Sequence, residues 1–216
     1  MDPAIVGIGA SLAALFVARR KSSGYKVSDI VKETVWKKGK ELPYNLGVDV
    51  ETVTGWTDLP DYLSAVAWTE SRFNPEACNG ECGSNSARGL FQLRPKSAFN
   101  KPGYEHLVSE PDLLFDPRIN TAFYTWYMYR LRPFASKNQT IDWLALRRGA
   151  AFPSLVSDVN EGKPRSIDTR KRFEQALEAV GLPKSFMYQK AFPNDFEWPG
   201  VDVVLESVGV DPLDLK

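Results

Sequence analysis

Histidine is almost absent from this sequence, and cysteine nearly so. The 216 residues contain one histidine, His106, and two cysteines, Cys78 and Cys82. So few imidazoles and thiols argue against a zinc centre, and no metal or organic cofactor is expected. Two cysteines cannot build a disulfide framework. They either close one small loop, which requires an oxidising environment, or remain small hydrophobic thiols. Net charge is missing too, because 27 Lys and Arg balance 27 Asp and Glu. A neutral chain lacks the basic field of a dedicated nucleic-acid binder, so no nucleic-acid partner is expected. Internal repeats and low-complexity runs are absent as well. A hydrophobic content of 43% with 12% aromatics excludes wholesale disorder. The length suits one domain with an appendage or two very small domains.

One apolar run stands out. From Ala4 to Ala18 the only polar residue is Ser11, and Arg19, Arg20 and Lys21 follow at once. At about 1.5 Å per residue the run reaches roughly 22 Å, short of the roughly 30 Å hydrocarbon core unless the flanking cations snorkel. We read residues 1–21 as a hydrophobic anchor helix whose residues 4–18 enter a lipid membrane, with a buried core helix as the alternative. Asp2 before the run and cations after it are the reverse of a cleavable signal, and they leave the basic, C-terminal side in the cytoplasm. Gly7, Gly9, Ser11 and Ala13 also fall at spacings that allow close helix pairing.

Residues 22–54 then read as a basic tether. A short amphipathic helix around Ser28 to Trp36 and a solvated linker fit it equally. The main domain is expected over 55–181 and is mainly α-helical. Thr57 and Asp58 offer a cap and Pro60 a first-turn proline for a helix from Pro60 to Ser71. Apolar periodicity predicts further helices over Leu90–Ser97, Asn120–Leu131, Ile141–Arg148 and Thr169–Val180. An acidic extension, 182–216, is expected to wrap the domain or meet a partner.

The chemistry concentrates between Ala65 and Asn100. Glu70, Ser71, Phe73, Pro75 and Ala77 form a Glu-Ser-x-Phe-x-Pro-x-Ala pattern. Gly89, Leu90, Phe91 and Gln92, with Pro95, follow after a variable loop. Asp116, Pro117 and Asn120 come next, then Tyr127, Met128 and Leu131. Glu70 lies seven residues after Leu63 and four after Val66, at the end of an apolar helix face. A carboxyl desolvated there would hold its proton near neutral pH, as glycosidic cleavage requires. Read alone, Glu70 would be an ordinary helix-terminal carboxylate that caps or pairs.

In order and spacing these motifs resemble the soluble lytic transglycosylase family, with its lysozyme-like fold. The resemblance runs from about Leu59 to Val180. It departs in two places. Phe91 stands where the family usually has Met, and Ala145-Leu146-Arg147-Arg148-Gly149 stands where it has Ala-Tyr-Asn-Ala-Gly. The resemblance implies a peptidoglycan lytic transglycosylase in which Glu70 is both acid and base at the bond from N-acetylmuramic acid to N-acetylglucosamine. The muramyl 6-hydroxyl closes an anhydro ring in place of water, so no second carboxylate is needed.

Ser71, Gly89, Phe91, Gln92, Tyr127 and Arg147 are the expected substrate-binding residues. Ser71 would orient Glu70 or a sugar substituent, and Gln92 would bind an acetamido group. Arg147 would meet a peptide or lactyl carboxylate. Tyr104, Tyr124 and Tyr127 are available to replace the missing tyrosine. Glu76, Glu81 and Asp116 are the alternative second carboxylates of a hydrolytic muramidase. An inactive structural or glycan-binding module is the non-enzymatic reading.

A cell-wall enzyme held by an anchor that keeps it cytoplasmic suits a bacteriophage virion component. We therefore expect a place in the virion membrane or interior ahead of the bacterial envelope, with virion or envelope proteins as partners.

Overall fold

The computed structural model describes residues 27–132, 142–151, 164–193 and 196–216. The expected anchor at 4–18 lies outside these. Among the described residues no helix is long and apolar enough to cross a membrane.

The fold is mainly helical. Its α-helices are α1 (Val27–Thr54), α2 (Leu59–Ser71), α3 (Pro95–Ala98), α4 (Pro117–Tyr129), α5 (Trp143–Ala151), α6 (Pro164–Val180) and α7 (Val201–Ser207). Short 3-10 turns cover Glu105–Ser109, Pro111–Phe115, Lys184–Tyr188 and Pro212–Leu215. Among the described residues β-structure is limited to isolated bridges joining Cys78 to Arg88, Arg88 to Leu93 and Asp142 to Lys190. Gly39–Lys216 is one compact unit, and the chain up to Lys38 belongs to another.

Much of the stretch read as a tether is therefore helix, and its second half belongs to the globular core. Pro43, Leu46, Gly47 and Val50 are buried at intervals of three and four residues, while Tyr44, Val48 and Asp49 face solvent. Gly47 makes this packing possible. A Cβ there would lie 2.5 Å from the Pro60 Cα, so only hydrogen lets α1 cross α2 this closely. The boundary expected at residue 55 falls later than the packing does, because the many polar and charged positions of α1 mask the inward stripe in a composition reading.

Helix α2 begins within one residue of expectation, with Pro60 in its first turn. The expected side-chain cap is absent: Asp58 adopts φ 63° and makes no capping bond with its carboxylate. Leu59, Tyr62, Leu63, Ala65, Val66 and Ala67 are all fully buried, and the helix packs most extensively on α6.

The helix expected over Leu90–Ser97 does not form. Gly89 at φ 76° and Gln92 at φ 50° are left-handed, and Arg88 and Leu93 exchange backbone hydrogen bonds of 2.9 and 3.0 Å across them. A tight loop uses the residues whose apolar pattern imitated a helix, and α3 starts only at Pro95.

The C-terminal extension closes the core. Phe186, Met187, Phe192, Phe196, Val201, Val204 and Leu205 are buried, and Trp56 Nε1 donates to the Ala191 carbonyl at 2.5 Å. Trp56 stacks on Phe192 with centroids 4.8 Å apart, and Trp143 lies 4.5 Å from Tyr62 and 5.9 Å from Phe186. At the chain end Asp202 accepts from Tyr104 Oη at 2.9 Å and from Lys216 Nζ at 2.6 Å. Glu197, Glu206, Asp211 and Asp214 are exposed while the apolar residues between them pack.

Candidate functional site

Glu70 stands one residue before the end of α2. The helix stops because Arg72 and Phe73 both turn left-handed, at φ 55° and 66°. Their N–H groups bond back to the Trp68 and Ala67 carbonyls, each at 3.3 Å. Such residues resist this conformation by about 1–2 kcal/mol each, and burial of the Phe73 ring offsets the penalty. The abrupt stop leaves the Glu70 side chain at the rim, 26% exposed.

Helix α5 brings Arg147 to it. The guanidinium, 14% exposed, donates through Nη2 to Glu70 Oε1. Leu144, Ala145 and Leu146 are buried, which fixes the face from which Arg147 projects. Tyr62 and Tyr124 are buried beside this pair, their hydroxyls 3.4 Å apart. Burial pushes both hydroxyls above the usual tyrosine range, with the Arg147 charge acting in the opposite sense. For Arg147 burial is the largest influence and opposes the charge, but Glu70, Tyr124 and Tyr62 together outweigh it and raise the guanidinium above its ordinary value.

The second motif is tied to the site from below. Phe91 is buried and stacks on Tyr124, centroids 4.5 Å apart and planes 16° off parallel. Its N–H donates to Asn120 Oδ1 at 2.9 Å. Asn120, fully buried on α4, donates through Nδ2 to the carbonyls of Leu114 at 2.9 Å and Arg88 at 3.1 Å. One side chain thus joins three segments. Asn120→Ala is expected to cost about 2–4 kcal/mol, because it strands the Phe91 N–H and the Leu114 carbonyl in the interior, while the Arg88 carbonyl keeps its bond from the Leu93 N–H; a urea unfolding midpoint checks this.

The loop between the motifs is clipped twice. Cys78 and Cys82 form a disulfide. Arg88, 2% exposed, donates to the Cys82 carbonyl at 2.8 Å and the Ser86 carbonyl at 3.1 Å. Its Nε lies 3.3 Å from the exposed Asp112 carboxylate without hydrogen-bond geometry, so the backbone carbonyls do most of the holding. Closing so short a loop restricts the unfolded chain by about 2 kcal/mol. Dithiothreitol is therefore expected to lower the melting temperature modestly, by roughly 4–8 °C for a chain of this size.

The remaining expected residues take varied places. Ser71 is buried, and its hydroxyl donates to the Ala67 carbonyl of its own helix at 3.0 Å rather than to Glu70. Gln92 spends its amide N–H groups on the Ala77 and Gly89 carbonyls, at 2.9 and 3.1 Å. Among the described residues its Oε1 accepts nothing. Gly89 presses against Leu114 and Asn120, so its close approach is to the protein itself. Tyr127 is half-buried, and burial raises its hydroxyl.

Of the replacement tyrosines, Tyr124 lies within the electrostatic reach of Glu70 and Arg147, whereas Tyr104 is committed to Asp202. Glu76 and Glu81 are exposed. Asp116 caps α4 by accepting from the Arg118 N–H at 2.8 Å and pairs with the Arg118 guanidinium. Among the described residues no three His, Cys, Asp or Glu side chains could hold a metal ion together. A shallow surface depression lined by Glu206, Gly209, Val210 and Asp211 includes none of the site residues.

Tyr62, Arg88 and Asn120 carry structural weight that sequence reading did not assign. Tyr62 could have been found two helical turns before Glu70, and Asn120 sat in a motif already noticed. Nothing marked Arg88 in advance. Residues 52–144 match the family model described as "Transglycosylase SLT domain". No curated protein and no solved structure matches the chain.

Proposed function

Because residues 52–144 are a transglycosylase SLT domain, we propose that the protein is a lytic transglycosylase of peptidoglycan with Glu70 as its only acid/base. The observation that carries this is the position of Glu70. Its carboxylate is 26% exposed, paired with Arg147 and beside the buried Tyr62–Tyr124 pair, and Tyr124 in turn stacks on Phe91 of the 89–92 loop.

The reaction needs one proton moved twice. Protonated Glu70 gives its proton to the oxygen linking N-acetylmuramic acid to N-acetylglucosamine, and the muramyl C1–O bond breaks. The muramyl 6-hydroxyl oxygen bonds to C1, and its proton passes to Glu70. The products are a free 4-hydroxyl on N-acetylglucosamine and a 1,6-anhydromuramyl end. No water is consumed and the carboxyl ends as it began. Intramolecular attack supplies the proximity that a second carboxylate would otherwise provide. Gln92 Oε1, which accepts nothing among the described residues, would accept from an acetamido N–H.

Mass spectrometry of digested sacculi tests the reading. Anhydromuramyl ends are the expected product. Reducing muramyl ends would assign a hydrolytic muramidase instead. A second reading has one observation in its favour: Leu146 is buried and Arg147 occupies Glu70, as suits a module that binds glycan without turning it over. A murein zymogram showing no clearing by the parent chain would select it.

For cellular place, the apolar stretch 4–18 followed by Arg19, Arg20 and Lys21 supports membrane attachment with the domain on the basic side. Delivery within a phage particle for wall penetration accommodates that topology.

A further inference from the structure

We propose that Arg147 is a receptor for a substrate carboxylate, and that Glu70 is its placeholder in the resting protein. The carboxylate is the one on the lactyl–peptide arm of the muramyl residue being cleaved. This deepens, and rests on, the transglycosylase reading.

The argument begins with charge. Arg147 is 14% exposed, and among the described residues its ion pair and its side-chain hydrogen bond go to Glu70 alone. The groups beside it are the Tyr62 and Tyr124 hydroxyls, which carry no charge at neutral pH. Arg147 therefore depends on Glu70 for neutrality.

The reaction removes that partner. Glu70 must be protonated before it donates, and a protonated Glu70 leaves a mostly buried guanidinium with no counter-ion among the described residues, which is strongly unfavourable. Glu70 Oε1 is also the atom that Arg147 Nη2 occupies. Proton donation thus requires a replacement anion at Arg147, and a guanidinium fork accepts a carboxylate in two parallel hydrogen bonds.

The substrate brings such an anion to this place. N-acetylmuramic acid carries an O-lactyl group on C3 of the same ring whose C1–O bond breaks. The carboxyl of that arm is free in peptide-free strands. In peptide-bearing strands it is an amide, and the nearest carboxylates belong to the peptide. Once either carboxylate sits on Arg147, Oε1 of Glu70 is released and the Glu70 carboxylate takes up a proton from the buffered solvent at its exposed edge. Substrate lacking the anion leaves Glu70 held.

The test uses the full chain on four substrates: peptide-free and peptide-bearing glycan strands, each native or with carboxyls amidated by carbodiimide and ammonia. The readout is the rate of anhydromuramyl-end formation by mass spectrometry. Amidation is expected to lower kcat/KM about tenfold, the loss of a hydrogen-bonded charge pair. The strand type it slows identifies the lactyl or the peptide carboxylate as the source.

Arg147→Gln is expected to cleave native and amidated strands at equal rates. If that variant does not fold, the comparison with the parent chain still decides. Equal rates for the parent on native and amidated strands of both types would overturn the proposal and leave the transglycosylase reading standing. No anhydromuramyl product from any strand would overturn that reading, and this one with it.

Discussion

Glu70→Gln is expected to lower the rate of anhydromuramyl-end formation by about a thousandfold, within the usual range for loss of a general acid–base. The substitution keeps the shape and the acceptor. Its amide carbonyl can still take the Arg147 hydrogen bond, although the charge of the guanidinium is then no longer balanced by it. What disappears is a proton of usable acidity, together with the base that must recover one from the muramyl 6-hydroxyl. Stability is expected to fall, since the amide removes the counter-ion of the Arg147 guanidinium, which is only 14% exposed. A thermal melt showing the variant still folded at the assay temperature, measured on the preparation used for product analysis, separates lost chemistry from lost fold. Clearing of a murein zymogram by both parent and variant at similar rates would remove Glu70 from its role.

The other large effect is structural. Gly89→Ala places a Cβ 2.1 Å from the Leu114 carbonyl oxygen and 2.4 Å from Asn120 Nδ2, at φ 76°. Neither obstacle is a flexible side-chain tip. One is backbone, and the other is an amide already committed to Arg88 and Leu114. The left-handed conformation costs about 1–2 kcal/mol for an alanine and the forced backbone shift about 1–3 more, for a total of roughly 2–5 kcal/mol.

Against a typical domain stability of about 5–15 kcal/mol this is a severe loss, and the melting temperature should fall by roughly 5–15 °C. Gly80→Ala is the control. Its φ is 71°, yet nothing lies within 4 Å of the Cβ, so only the conformational part remains. If the two alanine variants melt together, the contact with Asn120 is not what makes Gly89 necessary.

How much was legible beforehand differs by element. Helix α2 could be read from Pro60 and from the buried spacing of Leu59, Leu63, Val66 and Ala67, because a helix turn is set by residues three and four apart. Helix α4 was legible from its apolar spacing, but it runs Pro117–Tyr129 and so starts three residues before the expected Asn120. The stretch Leu90–Ser97 could not. Its apolar residues serve a loop whose direction is fixed by Gly89, Gln92 and the Arg88–Leu93 bonds, and a pattern of hydrophobicity does not distinguish these uses. The C-terminal extension misled in another way. Its acidic residues dominate a charge count, while Phe186, Phe192, Phe196 and Val204 between them fill the core.

For the candidate site, motif order alone identified Glu70, Gly89 and Gln92 and placed Asn120 in a recognised pattern, since each is marked by near neighbours in the chain. The sequence by itself thus determined a helical domain, an acid/base candidate and the loop that accompanies it. Only the tertiary structure decided that Arg147, 77 positions away, lies on Glu70, that Phe91 packs on Tyr124, and that Ser71 serves its own helix. Local periodicity reports which face of an element is buried. Which charge meets which depends on how α2, α4 and α5 pack, and that packing minimises the energy of the whole core.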